Sequence, residues 1–109
     1  MNRTLTAGLA AAAFIGAASH VSAQEMGDSK KGAMLAQAIC SECHAVQTGQ
    51  SRSPNSKAPT FANVAGAPGM TETALRVWLQ TPHPTMPTIA LTNDEKDDVI
   101  AYIISLKGR

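Results

Sequence analysis

Aromatic side chains are scarce: one tryptophan, one tyrosine and two phenylalanines in 109 residues. A chain this short, with so few large apolar groups, has little of its own with which to close a core. Cysteine is scarcer still, with two thiols, Cys40 and Cys43. Two cysteines exclude a disulfide-dense scaffold. With histidine present only as His20, His44 and His83, they also make a poor four-ligand zinc site. An excess of charge of either sign is missing, the formal net charge being +1. That removes the basic patch or stripe a nucleic-acid binder needs, and any strong long-range steering toward a highly charged partner. No apolar run is long enough for a confident membrane span. The uncharged stretch from Leu5 to Ala18 is short and rich in alanine.

That stretch has another reading. Arg3 supplies a short positive region, the apolar run follows, and Val21-Ser22-Ala23 offers a small-residue cleavage site. Met1–Ala23 is therefore expected to be a secretory signal, removed before Gln24 and leaving residues 24–109 as one domain, the alternative being an uncleaved N-terminal anchor. Arg3 departs with the segment, so eight basic residues then face eight acidic ones, and Phe61, Trp78 and Tyr102 remain as the aromatic set.

Cys40-Ser41-Glu42-Cys43-His44 is the attachment signature of c-type haem. Each thiol can add across one vinyl group of the porphyrin. Residues three apart on a helix share a face, so both sulfurs can reach one haem edge, and His44 follows at once to offer an imidazole to the iron. A thioredoxin-like pair would want a strand before it and a βαβ pattern around it, but the upstream Gly32–Ile39 run reads as helix. A structural disulfide would leave the adjoining His44 unexplained. A bound macrocycle would also supply the core that the aromatic shortage leaves open.

Gln24 to Gly27 reads as a loose terminus. Asp28 is placed to cap a helix over Lys30–Ile39, in which Gly32, Leu35, Ala36, Ile39 and Cys43 recur at spacings of three and four. Glycine inside a helix costs about 1 kcal/mol against alanine. Gly32 is therefore expected to mark the close approach of another helix. Thr48 to Ser56 is loop by composition, and Pro59 is expected to pack its ring in extended chain, against the haem face carrying His44 or in an ordinary turn. Arg52 and Lys57 read as solvated charges. Thr71 caps a second helix that must stop near Gln80, because Pro82 disfavours a helical Thr81. Trp78 on it is expected in the core bonded to a backbone carbonyl, or against a haem propionate. Leu91–Lys107 is the clearest helix. It carries a Thr92–Glu95 capping box, Lys107 in its last turn, and an apolar stripe of Val99, Ile100, Tyr102, Ile103 and Leu106. That stripe is expected to bury against the Gly32 helix, with Tyr102 crossing over Gly32.

Between these two helices lies Thr81-Pro82-His83-Pro84-Thr85-Met86-Pro87-Thr88. Its prolines exclude a helix and hold the chain extended, which lets a side chain reach the open face of a haem with little ordering cost. Met86 is the preferred iron ligand and His83 its rival. A thioether opposite histidine raises the potential, whereas two histidines would lower it.

Taken in order, Cys40–His44 after a short helix, Ala58-Pro59-Thr60-Phe61, the His83–Pro87 loop and the acidic-capped final helix resemble a class I c-type cytochrome, of the short bacterial periplasmic monohaem type. The resemblance implies an all-α cytochrome c fold, with three to four short helices around one covalently bound haem c and the terminal helices packed together. It implies that Cys40 and Cys43 hold the porphyrin, with His44 the proximal and Met86 the distal iron ligand. The implied role is a one-electron carrier, not an enzyme, in the periplasm. Its partners would be a donor dehydrogenase or cytochrome complex and an acceptor oxidase or reductase, with no nucleic acid and no strong membrane association. The alternative is a dedicated haem subunit of a periplasmic dehydrogenase or oxidase complex.

Overall fold

The computed structural model describes residues 27–109; the expected signal segment Met1–Ala23 lies outside them. The described chain is all-α, with four helices and no strand: α1 (Ser29–Ile39), α2 (Phe61–Gly66), α3 (Glu72–Gln80) and α4 (Asn93–Ser105), plus a 3₁₀ turn over Cys40–Glu42 directly after α1. Each start is written locally. Asp28 accepts from the amides of Lys30 and Lys31, Thr60 from Asn63, and Thr71 from Ala74. The amides of Lys31 and Lys30 hold the Asp28 carboxyl below its ordinary range. Thr92 and Glu95 close both halves of a capping box, at 3.2 Å and 2.8 Å.

The terminal helices α1 and α4 pack against one another, and Gly32 is where they come closest. A Cβ there would lie 2.5 Å from the Asp98 carbonyl carbon and 2.8 Å from Tyr102 Cβ. The expected crossing over Tyr102 is present, but the tighter contact is with the α4 backbone at Asp98, which cannot rotate away. Alanine would gain about 1 kcal/mol of helix propensity, while overpacking against backbone costs about 3 kcal/mol. Gly32→Ala is therefore expected to destabilise the protein by about 2 kcal/mol, lowering the thermal midpoint by about 10 °C. An unchanged midpoint in calorimetry would refute the close-packed crossing.

Four details differ from the sequence expectation. Gly27 is not loose: it takes φ +90° with its Cα against the Asp97–Asp98 backbone, and the next amide, on Asp28, donates to Asp98 Oδ1 at 2.6 Å. The short helix α2 was not foreseen between the two glycine- and proline-rich stretches. The last helix runs from Asn93 to Ser105, not Leu91 to Lys107; Lys107 instead donates from Nζ to the Met70 carbonyl at 2.9 Å. Trp78 is not in the core. Leu75 and Leu79 turn the inner face of α3 to the interior, while Trp78 is 56% exposed.

The core is thin. Ala36, Val46, Phe61, Ala65, Leu75, Val99, Ile100, Ile103 and Leu106 form it, and among the described residues Phe61 is the sole aromatic ring fully inside it. Tyr102 lies at its edge, donating from its hydroxyl to the Val46 carbonyl at 2.5 Å. Arg76 on α3 pairs with Asp97 on α4, both partly exposed. Among the described residues no helix is long and apolar enough to cross a membrane.

Candidate haem site

Cys40 ends α1, its amide still donating to the Ala36 carbonyl. The backbone then tightens into the 3₁₀ turn, so the amides of Cys43 and His44 both reach the Cys40 carbonyl, at 3.2 Å and 2.9 Å. Cys40, Cys43 and His44 are thus brought together by one turn of backbone rather than by a continuing α-helix. Both cysteines are free thiols and partly buried. Burial pushes the Cys40 thiol above its ordinary pKa, the opposite of the lowered value a thiolate redox pair uses.

The loop that follows folds back on this turn. Asn55 donates its amide to the Cys43 carbonyl at 3.1 Å, Phe61 to the Ala45 carbonyl at 2.9 Å, and the Ser53 hydroxyl accepts from the Ala45 amide at 3.0 Å. This brings the Pro59 carbonyl to 2.6 Å from His44 Nδ1. A carbonyl can only accept, so Nδ1 carries the proton and Nε2 is left with the free lone pair. A hydrogen bond of this kind is what orients a metal-bound imidazole and raises its basicity. The expectation placed Pro59 near His44 through its ring; it is the carbonyl that makes the bond, 15 residues along the chain. His44 also lies against Phe61, ring centroids 5.4 Å apart, and Phe61 against Tyr102 at 6.3 Å.

Met86 is on a different connection, the α3–α4 loop. It is partly buried and pairs with His83 in an isolated antiparallel bridge, its amide donating to the His83 carbonyl at 3.4 Å. The His83 ring is itself held: Nδ1 donates to the Thr81 carbonyl at 2.9 Å, and the ring meets Trp78 edge-on at 5.1 Å. The other described methionines are otherwise placed. Met34 is 68% exposed on α1, and Met70 packs against the core. Arg52 and Lys57 are exposed, as expected of solvated charges.

These residues fit a covalently attached haem on three counts. Two unpaired thiols adjoin an imidazole whose Nε2 is free. A buried core of nine side chains is small for a domain, so a large apolar group would complete it. Large apolar side chains, Ile39 at 37%, Val77 at 56% and Trp78 at 56% exposed, stand without enough polypeptide to cover them.

The family model for cytochrome c matches residues 29–107, from the first residue of α1 to just past α4. The chain belongs to the cytochrome c family. It is also 40% identical over 80 residues to a cytochrome c-552 of Bradyrhizobium diazoefficiens, covering 73% of this chain and 76% of that protein. No solved structure matches the chain. As a cytochrome c it carries covalently bound haem c with its iron, and Cys40 and Cys43 stand in the matching arrangement. Members of the family are electron carriers with redox partners and are generally not enzymes.

Proposed function

We propose that this cytochrome c is a periplasmic one-electron carrier whose iron is held between His44 and Met86. The observation that carries the reading is the 2.6 Å bond from His44 Nδ1 to the Pro59 carbonyl. It fixes the tautomer and leaves Nε2 as the donor atom directly beside the two thiols; His83 makes the same kind of bond to the Thr81 carbonyl but adjoins no cysteine. Placement supports Met86: Met34 lies out on α1 and Met70 packs against the core, whereas Met86 sits in a loop that Pro84 and Pro87 keep from turning helical.

Bound haem supplies a metal that takes up or gives away one electron, with histidine and methionine raising its potential. The chain's own part is to hold everything else still. Cys40 and Cys43 anchor the porphyrin edge, the Pro59 carbonyl orients His44, and the proline-bounded loop carries Met86. With His44 and Met86 both holding the iron, no substrate would have to reach the metal, and the change of charge would need little rearrangement. Periplasmic placement rests on the Met1–Ala23 segment read as a secretory signal. The partners are then a donor dehydrogenase or cytochrome complex and an acceptor oxidase or reductase.

A potentiometric titration of the purified protein with near-infrared spectra tests this. The expected result is one one-electron transition, with a weak sulfur-to-iron charge-transfer band in the ferric state. A ferric spectrum without that band would overturn Met86 as ligand.

A further inference from the structure

The α3–α4 loop contains a contact between two side chains that are neither attachment thiols nor proposed iron ligands. Trp78, near the end of α3, meets the ring of His83 edge-on, with centroids 5.1 Å apart and planes at 88°. Trp78 is 56% exposed, so core packing does not explain where it sits. His83 is tied at both ends. Its ring is held by Trp78 and by the Nδ1 bond to the Thr81 carbonyl at 2.9 Å. Its backbone carbonyl receives the Met86 amide at 3.4 Å, closing the antiparallel bridge. His83 is therefore the link through which α3 reaches Met86.

The prolines do not supply that link. Each fixes its own φ and stiffens the loop locally, but none sets where the loop lies against α3. The helix itself releases the chain at Thr81, whose amide makes the last helical bond, to the Val77 carbonyl at 3.0 Å. Beyond it, the ring pair is what fastens the loop back.

We infer that Trp78 and His83 are positioning residues for Met86: their edge-to-face contact latches the ligand loop to α3 and holds its open form at low population. This rests on Met86 being the sixth ligand. An edge-to-face aromatic pair shifts an equilibrium by about two- to tenfold beyond the area it buries, so the loop should open more often by that factor when either ring is removed.

The test uses ferric holoprotein. Cyanide uptake reads loop opening, because the thioether must leave before cyanide binds. Trp78→Ala and His83→Ala are each expected to keep the near-infrared thioether band yet take up cyanide about fivefold faster. The double variant should be no faster than the faster single variant, because either change undoes the same contact. His83→Phe, which keeps a ring against Trp78 but loses the Nδ1 bond, should return uptake to near the wild-type rate. In the reduced protein, exchange of the Met86 amide should quicken in both alanine variants while that of Ile100, in α4, stays unchanged; a merely structural role would move both. Unchanged cyanide uptake in the single variants, or effects that multiply in the double variant, would overturn the latch with Met86 still ligated. Loss of the band in His83→Ala, with its retention in Met86→Ala, would make histidine the ligand and overturn both readings. Absence of the band from the wild type would remove the ligand assignment on which the latch rests.

Discussion

Met86→Ala is expected to abolish the near-infrared band, lower the potential and open the iron to added cyanide or carbon monoxide. The side chain is partly buried on a loop bounded by Pro84 and Pro87, and alanine offers no donor atom in its place. The other described methionines cannot stand in, since Met34 projects from α1 into solvent and Met70 is packed against the core. His83 is three residues away, but its ring lies edge-on against Trp78. Axial ligand identity spans about 0.8 V across haem proteins, and losing the thioether should move the potential downward within that range. Potentiometry and carbon monoxide binding on the same sample check both effects. If the variant kept the wild-type potential and stayed closed to carbon monoxide, Met86 would not be the ligand.

Cys40→Ser combined with Cys43→Ser is expected to remove covalent haem altogether, so that no haem stain survives a denaturing gel. The consequence for folding should be as large. The polypeptide core consists of nine residues, two of them alanine, with one phenylalanine as the sole large ring inside. A domain of this size rarely gains more than about 3–5 kcal/mol from its own core, and losing a macrocycle from the middle exceeds that. Haem-free chain should therefore show weak helix content and no cooperative thermal transition in circular dichroism. Native-like helix with a sharp transition would mean that the protein closes its core unaided.

How much of this could be read in advance followed from how local each feature is. The attachment motif was legible because Cys40, Cys43 and His44 are adjacent in the chain, whereas the 3₁₀ turn that presents them was not. The Thr92–Glu95 box and the Asp28 and Thr71 caps were legible because a cap acts within one turn. Gly32 was legible for a different reason: a glycine inside a helix needs an explanation, and a close crossing is the common one. The six-residue α2 escaped notice because it is too short to show a period between Pro59 and Pro68; Thr60, which caps it, was the available cue. The core reading of Trp78 fails because helical spacing groups it with Leu75 and Leu79 without saying how far that face extends into the interior; the propionate reading is compatible with its exposure. The Pro59 bond to His44 could not have been read at all, because the acceptor is a backbone carbonyl and no side chain reports where it points. The same holds for the His83 link, which depends on how the loop lies against α3.

The pairing of α1 with α4 also fixes an order of assembly. The helix that buries Gly32 and ties down Asp28 is the last in the chain, whereas the thiols and His44 come directly after the first. A chain delivered N-terminus first exposes Cys40, Cys43 and His44 while Asp98 and Tyr102, which close over α1, have yet to arrive. Pairing across so long a stretch of sequence is slow to form, since the intervening loop must be closed before the contact stabilises anything. The attachment residues therefore stand in the chain well before the α4 residues that close over α1, and that closure falls on Gly32 and Asp28 rather than on the attachment turn.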